Sequence, residues 1–356
     1  MTLLIRSDAS VSIGTGHVMR CMALAQAWQD AGGRVMFAMA ESTPALDKRL
    51  GAEGIDVVHL EVRPGSDSDA NRVIELAHER DASWTVVDGY QFAGEYQRAI
   101  KSSGQKLCFI DDNGHCEDYS ADIVLNHNAH AREGLYPNRA SHTELLLGAG
   151  YALLRREFRR WRTWQREIPA LGTKILVTVG GSDPNNVTLR VMEALQLVKV
   201  ENLQAVIVVG GSNPNTGSIE HASRQAGRFV KVVSDVTNMP ELMAWADLAI
   251  AAAGIVSWEI CALGLPAILF PVAPNQQATA EHLRNLGAAH VISGIGTCSA
   301  IDLANEIIQF LHSFEDRKRI SETANELVDG LGCERVVAAL HRAAELPVEQ
   351  ISGCRA

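Results

Sequence analysis

Short apolar runs alternate with helix-spaced segments along this chain, and they do so in two series. The first series offers strands at Leu3–Ile5, Arg34–Met39, Gly54–Leu60, Trp84–Asp88, Lys106–Asp112 and Ala121–Asn126. Between them lie helical stretches at Cys21–Trp28, Pro44–Leu50, Asp67–Arg80 and Glu95–Ser102. The second series has strands at Lys174–Val179, Ala205–Gly211, Phe229–Val233, Asp247–Gly254 and Pro266–Pro271. Its helices are Val187–Val198, one from Met239, Ile255–Gly264 and one from Asn275. Apolar strands too short to be helices, each followed by a helix, build parallel, doubly wound α/β sheets. The fold class is therefore α/β with two Rossmann-like domains. Ligands of such sheets bind beyond the carboxyl ends of the strands, so the residues there are the candidates for function.

The most informative strand end is the first. Ser12-Ile13-Gly14-Thr15-Gly16-His17-Val18-Met19-Arg20 runs from the opening strand into the first helix. Gly14 and Gly16 let backbone approach a ligand closely, and a helix start presents free N–H groups to anionic oxygens. His17 at the mouth of that helix can act as a base near neutral pH. The turn is neither a dinucleotide fingerprint nor a P-loop: Met19 stands at the third glycine position and no Gly-Lys-Ser/Thr follows. Three further polar strand ends fall on the same edge, at Asp88-Gly89-Tyr90, Asp111-Asp112-Asn113 and Asn126-His127-Asn128. Asn113-Gly114 reads as a turn. His127 and His130 have the spacing of a helical metal pair but sit in a loop with no third ligand, so no metal is expected.

A chain of 356 residues exceeds one ordinary core. The boundaries read as 1–150 for the first domain, 151–172 for a linker helix and hinge, 173–345 for the second domain and 346–356 for a tail. In the join, Arg156, Arg159, Arg160, Arg162 and Arg166 are interleaved with Phe158, Trp161 and Trp164. An amphipathic linker helix packing its aromatics between the domains is the expectation. A net charge of -10 argues against a nucleic-acid partner. The seven scattered cysteines contain no Cys-x-x-Cys pair and fit reduced thiols in the cytoplasm. No uncharged apolar run reaches the roughly 18 residues of a membrane helix, and Arg6 and Asp8 interrupt the opening run, so neither membrane insertion nor a signal peptide is expected.

The second series repeats the strand–glycine–helix design. Gly180-Gly181-Ser182 follows its first strand and suits phosphate binding with the helix N–H groups behind it. Gly254 turns into a helix carrying Glu259, a carboxylate able to accept both hydroxyls of a ribose. Together these define a nucleotide site, with Leu269–Pro271 a bed for the base. Helices then follow near 303–310, 317–327 and 334–343.

Several motifs resemble the UDP-sugar hydrolases of pseudaminic acid biosynthesis. They are Arg6-Ser7-Asp8-Ala9-Ser10, Ile13 through Cys21, Val86-Val87-Asp88, Leu146-Leu147-Gly148 with Tyr151 through Arg155, Gly180 through Pro184, and Gly254 through Glu259. The carboxyl-half motifs are shared with MurG-like glycosyltransferases. The resemblance implies a GT-B fold, two Rossmann-like domains facing a cleft, and cleavage of UDP-2,4-diacetamido-2,4,6-trideoxy-β-L-altropyranose to UDP and free sugar. It implies His17 as general base and Gly14, Gly16, Tyr90 and Asn275 near the substrate. Gly180, Gly181, Ser182, Gly254, Glu259 and Gln277 would then hold UDP. No cofactor or metal is implied, and a monomer is expected. Gly89 and Ala273-Pro274 depart from the pattern and bear on which sugar is taken. A glycosyltransferase using the same donor and a non-catalytic UDP-sugar binder are the alternatives. An NAD enzyme is disfavoured because no strand-end acidic residue follows the turn by ~20 residues; the second strand ends near Met39-Ala40-Glu41, which makes Glu41 a weak candidate only.

Overall fold

The structure, a computed structural model, describes residues 1–10, 13–234 and 236–345. Ser12 of the opening turn and the tail from 346 lie outside the described residues. The chain folds as two compact units. Met1–Ala9, His17–Arg156 and residues 331–345 form the first, and Ser10–Gly16 with Glu157–Gly330 the second.

The first unit is a parallel seven-stranded sheet. Its strands are β1 (Thr2–Ser7), β2 (Arg34–Met39), β3 (Asp56–His59), β4 (Ala82–Asp88), β5 (Leu107–Ile110), β6 (Ile123–Asn126) and β7 (Glu144–Leu147), in the order β3-β2-β1-β4-β5-β6-β7. Helices α1 (Gly16–Asp30), α2 (Pro44–Ala52), α3 (Asp67–Glu79) and α4 (Gly94–Ser102) cover it. Successive strand residues face opposite ways, which explains the unbroken apolar runs. Leu3 and Ile5 pack in one cluster with Val18, Met22, Ala25 and Trp28 of α1. Leu4 joins the other cluster with Val73 and Leu76 of α3 and Ile100 of α4. Ser66 caps α3 by accepting from the Asp69 amide at 3.3 Å.

The second unit is a parallel six-stranded sheet. It consists of β8 (Lys174–Thr178), β9 (Gln204–Val209), β10 (Val230–Ser234), β11 (Leu248–Ala252), β12 (Ala267–Phe270) and β13 (His290–Val291), ordered β10-β9-β8-β11-β12-β13. Its helices are α5 (Val187–Leu197), α6 (Thr216–Ala226), α7 (Met239–Trp245), α8 (Val256–Ala262), α9 (Gln277–Leu286), α10 (Ala300–His312) and α11 (Phe314–Leu327). The interior holds Ile175, Val177, Ile207, Ile250 and Ile268 from the sheet with Val191, Leu195, Ile307 and Leu311 from the helices.

Two sequence expectations are corrected. The last helix, α12 (Gly332–Glu345), belongs to the first unit, not to a second domain running to 345. Val336, Val337 and Leu340 complete the cluster around Ile5 and α1, and the Trp84 indole donates to the Leu340 carbonyl at 3.0 Å. Periodicity shows that 334–343 is an amphipathic helix but does not say which sheet its apolar face covers. Gly332 makes the docking possible, since a Cβ there would stand 2.2 Å from the Ala152 carbonyl oxygen.

The join is not an α-helix but a 3-10 segment, Arg156–Trp161, followed by irregular chain. Its basic side chains are used on fixed partners. Arg166 donates to the carbonyls of Leu263 at 3.1 Å, Ala246 at 2.5 Å and Met243 at 2.6 Å, and lies 4.9 Å over the Trp164 ring. Arg160 pairs with Glu241. The Arg166 guanidinium thus ties the join to the ends of α7 and α8.

Candidate active site

In the first sheet the strand order reverses between β1 and β4, which is where doubly wound sheets bind ligands. His17 and Arg20, one turn apart on α1, sit there with Asp88, the last residue of β4. His17 Nδ1 lies 2.7 Å from Asp88 Oδ1. Arg20 grips the same carboxylate with both ends of its fork, Nε to Oδ2 at 2.6 Å and Nη2 to Oδ1 at 2.6 Å. Its remaining nitrogen, Nη1, donates to Asp112 Oδ1 at 2.6 Å. Asp112 also receives the Tyr90 hydroxyl at 2.7 Å and the Asn128 amide at 2.8 Å. Asn126 positions Asn128 by accepting both its backbone and side-chain N–H groups at 3.0 Å. The four polar strand ends thus converge on one network.

Burial would push both carboxyls up, but Arg20 outweighs it and holds Asp88 and Asp112 well below the usual carboxylate range, with His17 assisting at Asp88. An ionised carboxylate only accepts, so the contact with Asp88 assigns a proton to His17 Nδ1. Nε2 makes no hydrogen bond with the described residues. The ring is 8% exposed as a residue and is held edge-on by Tyr90, whose centroid is 5.0 Å away at 83°. A neutral imidazole with an oriented Nδ1–H and a free Nε2 is the form that accepts a proton from a reactant. Cys21 donates to Asp88 Oδ2 at 3.3 Å, and burial followed by that negative neighbour keeps its thiol protonated. His127 behind Asp112 is pushed down to about 4, first by burial and then by Arg20, and is neutral.

Asp111 points away and builds a second cluster. It accepts the Tyr119 hydroxyl at 2.5 Å and faces His115 Nδ1 at 3.3 Å. Burial alone would lower His115, yet the Asp111 hydrogen bond and charge lift it to about 10, so it is an imidazolium set perpendicular to the Tyr90 ring at 5.7 Å. This charge stabilises the native state fully below the unfolded value of about 6.5, and the contribution is lost as pH rises toward about 10. Urea melts of the wild type should therefore weaken across that window, and His115→Gln should flatten the loss; equal slopes would sink the assignment.

The second unit places its glycine loops at the matching switch, between β8 and β11. Gly180 and Gly181 leave β8 and pack on the turn after β9, where a Cβ on Gly210 would lie 2.3 Å from the Gly181 carbonyl. Ser182 is buried, but the start of α5 is already occupied: Asp183 accepts the Val187 amide at 2.8 Å and the Thr188 amide at 2.9 Å. The α5 N–H groups are thus not open to phosphate as the sequence suggests. The turn after β11 is built differently. Gly254 enters α8, where Ser257 is fully buried, its hydroxyl unpaired among the described residues, and Glu259 is 6% exposed. Beside it, Gln276 accepts the Val272 amide at 2.9 Å and its amide nitrogen would lie 3.4 Å from a Cβ on Gly254. Asn275 is exposed in the 3-10 turn Pro274–Gln276. Gln277 is exposed and donates to Glu281 on its own helix at 2.7 Å.

Gly14 donates its amide to the Ser10 carbonyl at 2.8 Å, and Gly16 opens α1. Sequence reasoning missed the roles of Arg20, Asp88, Asp112 and Asn128. The available signal was a His and an Arg at i and i+3, facing a sheet whose next strands each end in a carboxylate. Among the described residues no group of three or more His, Cys, Asp or Glu side chains could hold a metal ion, and no helix is long and apolar enough to cross a membrane.

Two parallel, doubly wound units of this kind constitute the GT-B fold. MurG of Acinetobacter baumannii superposes with a TM-score of 0.64 at 17% identity, covering 96% of this chain and 100% of that one. The glycosyltransferase family 28 C-terminal domain matches residues 174–324. In sequence, the chain is 27% identical over 292 residues to the UDP-2,4-diacetamido-2,4,6-trideoxy-beta-L-altropyranose hydrolase of Campylobacter jejuni, covering 81% of this chain and 97% of that protein. It is 24% identical over 298 residues to the uncharacterized protein MJ1062 of Methanocaldococcus jannaschii, covering 82% of this chain but 60% of that longer protein.

Proposed function

We propose that this protein is an enzyme acting on a UDP-sugar, and that it hydrolyses UDP-2,4-diacetamido-2,4,6-trideoxy-β-L-altropyranose to UDP and the free sugar. The observation that carries the reading is the His17–Asp88 pair, an oriented base beside a strand switch point. Water attacks the anomeric carbon on the face opposite UDP. His17 Nε2 takes the water's proton, Asp88 stabilises the imidazolium, the bond from the anomeric carbon to the diphosphate oxygen breaks, and UDP departs with the electron pair. The configuration inverts. Glu259 accepts the ribose hydroxyls. Gly254 and its turn, with Gly180, Gly181 and Ser182, receive the diphosphate; Asp183 shifts the larger share to the Gly254 turn. Gly14, Gly16, Tyr90 and Asn275 border the sugar, and Gln277 is the outermost UDP residue.

The test is incubation of the protein with that UDP-sugar in oxygen-18 water, reading UDP and free sugar together. Label should enter the sugar; label in UDP would refute attack at carbon. His17→Phe should cut turnover by about 10²-fold or more while leaving UDP affinity within experimental error. The match of residues 174–324 to the family 28 domain favours a second reading, transfer of the sugar to an acceptor hydroxyl. Release of free sugar without any acceptor separates the two.

A further inference from the structure

Arg20 is fully buried and stands between two carboxylates, and both lean on it. The charges around His17 can be counted element by element. Helix α1 contributes Arg20 and the protonated Cys21. The end of β4 contributes Asp88 and the Tyr90 ring. The end of β5 contributes Asp112 and, across Tyr90, the His115 imidazolium with its own partner Asp111. The end of β6 contributes the neutral His127. The inner group of Arg20, Asp88 and Asp112 carries one positive and two negative charges. Without Arg20, two buried carboxylates would face an imidazole with no other cation from these elements in contact, and the ring would hold its proton.

We infer that Arg20 is the positioning residue of this centre: by dividing its guanidinium between Asp88 and Asp112 it fixes the Asp88 carboxylate that receives the Nδ1 proton of His17, leaving Nε2 free. The geometry is specific to arginine. Two nitrogens at 2.6 Å from the two Asp88 oxygens fix the plane of that carboxylate while the third reaches Asp112 at 2.6 Å, and the Asp88 plane fixes the ring of His17. Asp112 is the counterweight. It draws positive charge away from Asp88 and so sets how strongly Asp88 holds the imidazole proton. The inference deepens the general-base reading and rests on it for its kinetic consequence only.

Imidazole ¹H–¹⁵N spectra of the full-length protein test it, with the His17 signal identified by its loss in His17→Gln. Arg20→Met should raise the His17 titration midpoint by about one pH unit or more, a tenfold gain in proton affinity. Asp112→Asn should lower it. Arg20→Lys, which keeps the charge but not the fork, should hold the midpoint near the wild-type value while broadening the tautomer signature. The acid limb of kcat/KM should move with the midpoint in each variant. A residue that merely supports packing would not shift the midpoint in opposite directions in Arg20→Met and Asp112→Asn, so shifts of the same sign, or none, overturn the inference. If Arg20→Met does not fold by circular dichroism, Asp112→Asn decides alone, and an unmoved midpoint overturns it. Midpoints that move as expected in a protein that releases no UDP would leave the role of Arg20 standing and remove the hydrolase reading.

Discussion

Asp88→Asn should reduce kcat on the UDP-sugar by about 10⁴-fold, the size of a wrong-tautomer effect. The substitution is isosteric, so the loss comes from hydrogen-bond polarity and not from shape. Asp88 now receives four donors: Arg20 Nε, Arg20 Nη2, His17 Nδ1 and the Cys21 thiol. An asparagine has one acceptor oxygen and one NH₂. With the oxygen toward Arg20 Nε, the NH₂ faces Arg20 Nη2 and His17 Nδ1. The ring relieves that clash by taking its proton on Nε2, the atom that must accept one. The buried guanidinium also loses half of a bidentate pair, so a fall in stability should accompany the kinetic loss. The check is kcat with the UDP-sugar, UDP affinity, and the ¹⁵N shifts of His17, which report the tautomer directly. A turnover within tenfold of wild type, with the Nδ1–H tautomer retained, would show that Asp88 is not what orients the base.

Why part of this was legible in the sequence and part was not follows from the distances involved. The glycine turn and His17 are contiguous, so a local reading of strand, turn and helix finds them. The strand ends at Asp88, Asp112 and Asn126–Asn128 are also local signals, and an alternating strand–helix order places them on one sheet edge without coordinates. What the chain does not spell out is pairing. Arg20 meets Asp88 across 68 positions and Asp112 across 92. Adjacent Asp111 and Asp112 look equivalent in sequence, yet the turn that follows β5 sends one to His115 and Tyr119 and the other to Arg20 and Tyr90. The destination of α12 is hidden for the same reason: an apolar stripe has period but no address. The strands β7 and β13, four and two residues long, are too short to stand out against loops. The occupied start of α5 is the reverse case. Ser182-Asp183-Pro184 reads as part of a phosphate loop until Asp183 is seen turned back onto its own helix.

The motif Arg6-Ser7-Asp8 supports the fold, and Arg6→Met should cost about 3–5 kcal/mol of stability. Arg6 is 0% exposed, as is Asp69, and Asp8 is 1% exposed. The guanidinium makes a bidentate pair with Asp69, Nε and Nη2 both at 2.9 Å, and reaches Asp8 with Nη1 at 2.6 Å. The carboxylates then hold backbone that Arg6 never touches. Asp8 accepts the amides of Ala40 at 2.8 Å and Glu41 at 3.0 Å and the side-chain amide of Gln91 at 3.0 Å. Asp69 accepts the Gly65 amide at 2.8 Å and the Tyr96 hydroxyl at 3.1 Å. One cation therefore secures the chain leaving β1, β2 and β4, the same strand ends that present His17 and Asp88. A methionine fills much of the volume but strands two carboxylates with no cation in a dry interior, which is why the cost exceeds that of a lost surface pair. Urea melts followed by tryptophan fluorescence and far-UV circular dichroism measure it. The exposed pair of Arg72 with Glu75 is the control, and Arg72→Ala should barely move the melt. Removing the stranded charges should restore stability, so Arg6→Met with Asp8→Asn and Asp69→Asn should be more stable than Arg6→Met alone. If the single change costs under about 1 kcal/mol, or the triple variant is worse still, the cluster is not held by charge pairing. The polar contacts to Gly65, Tyr96 and Gln91 would then be the stronger restraint on the loops beneath the site.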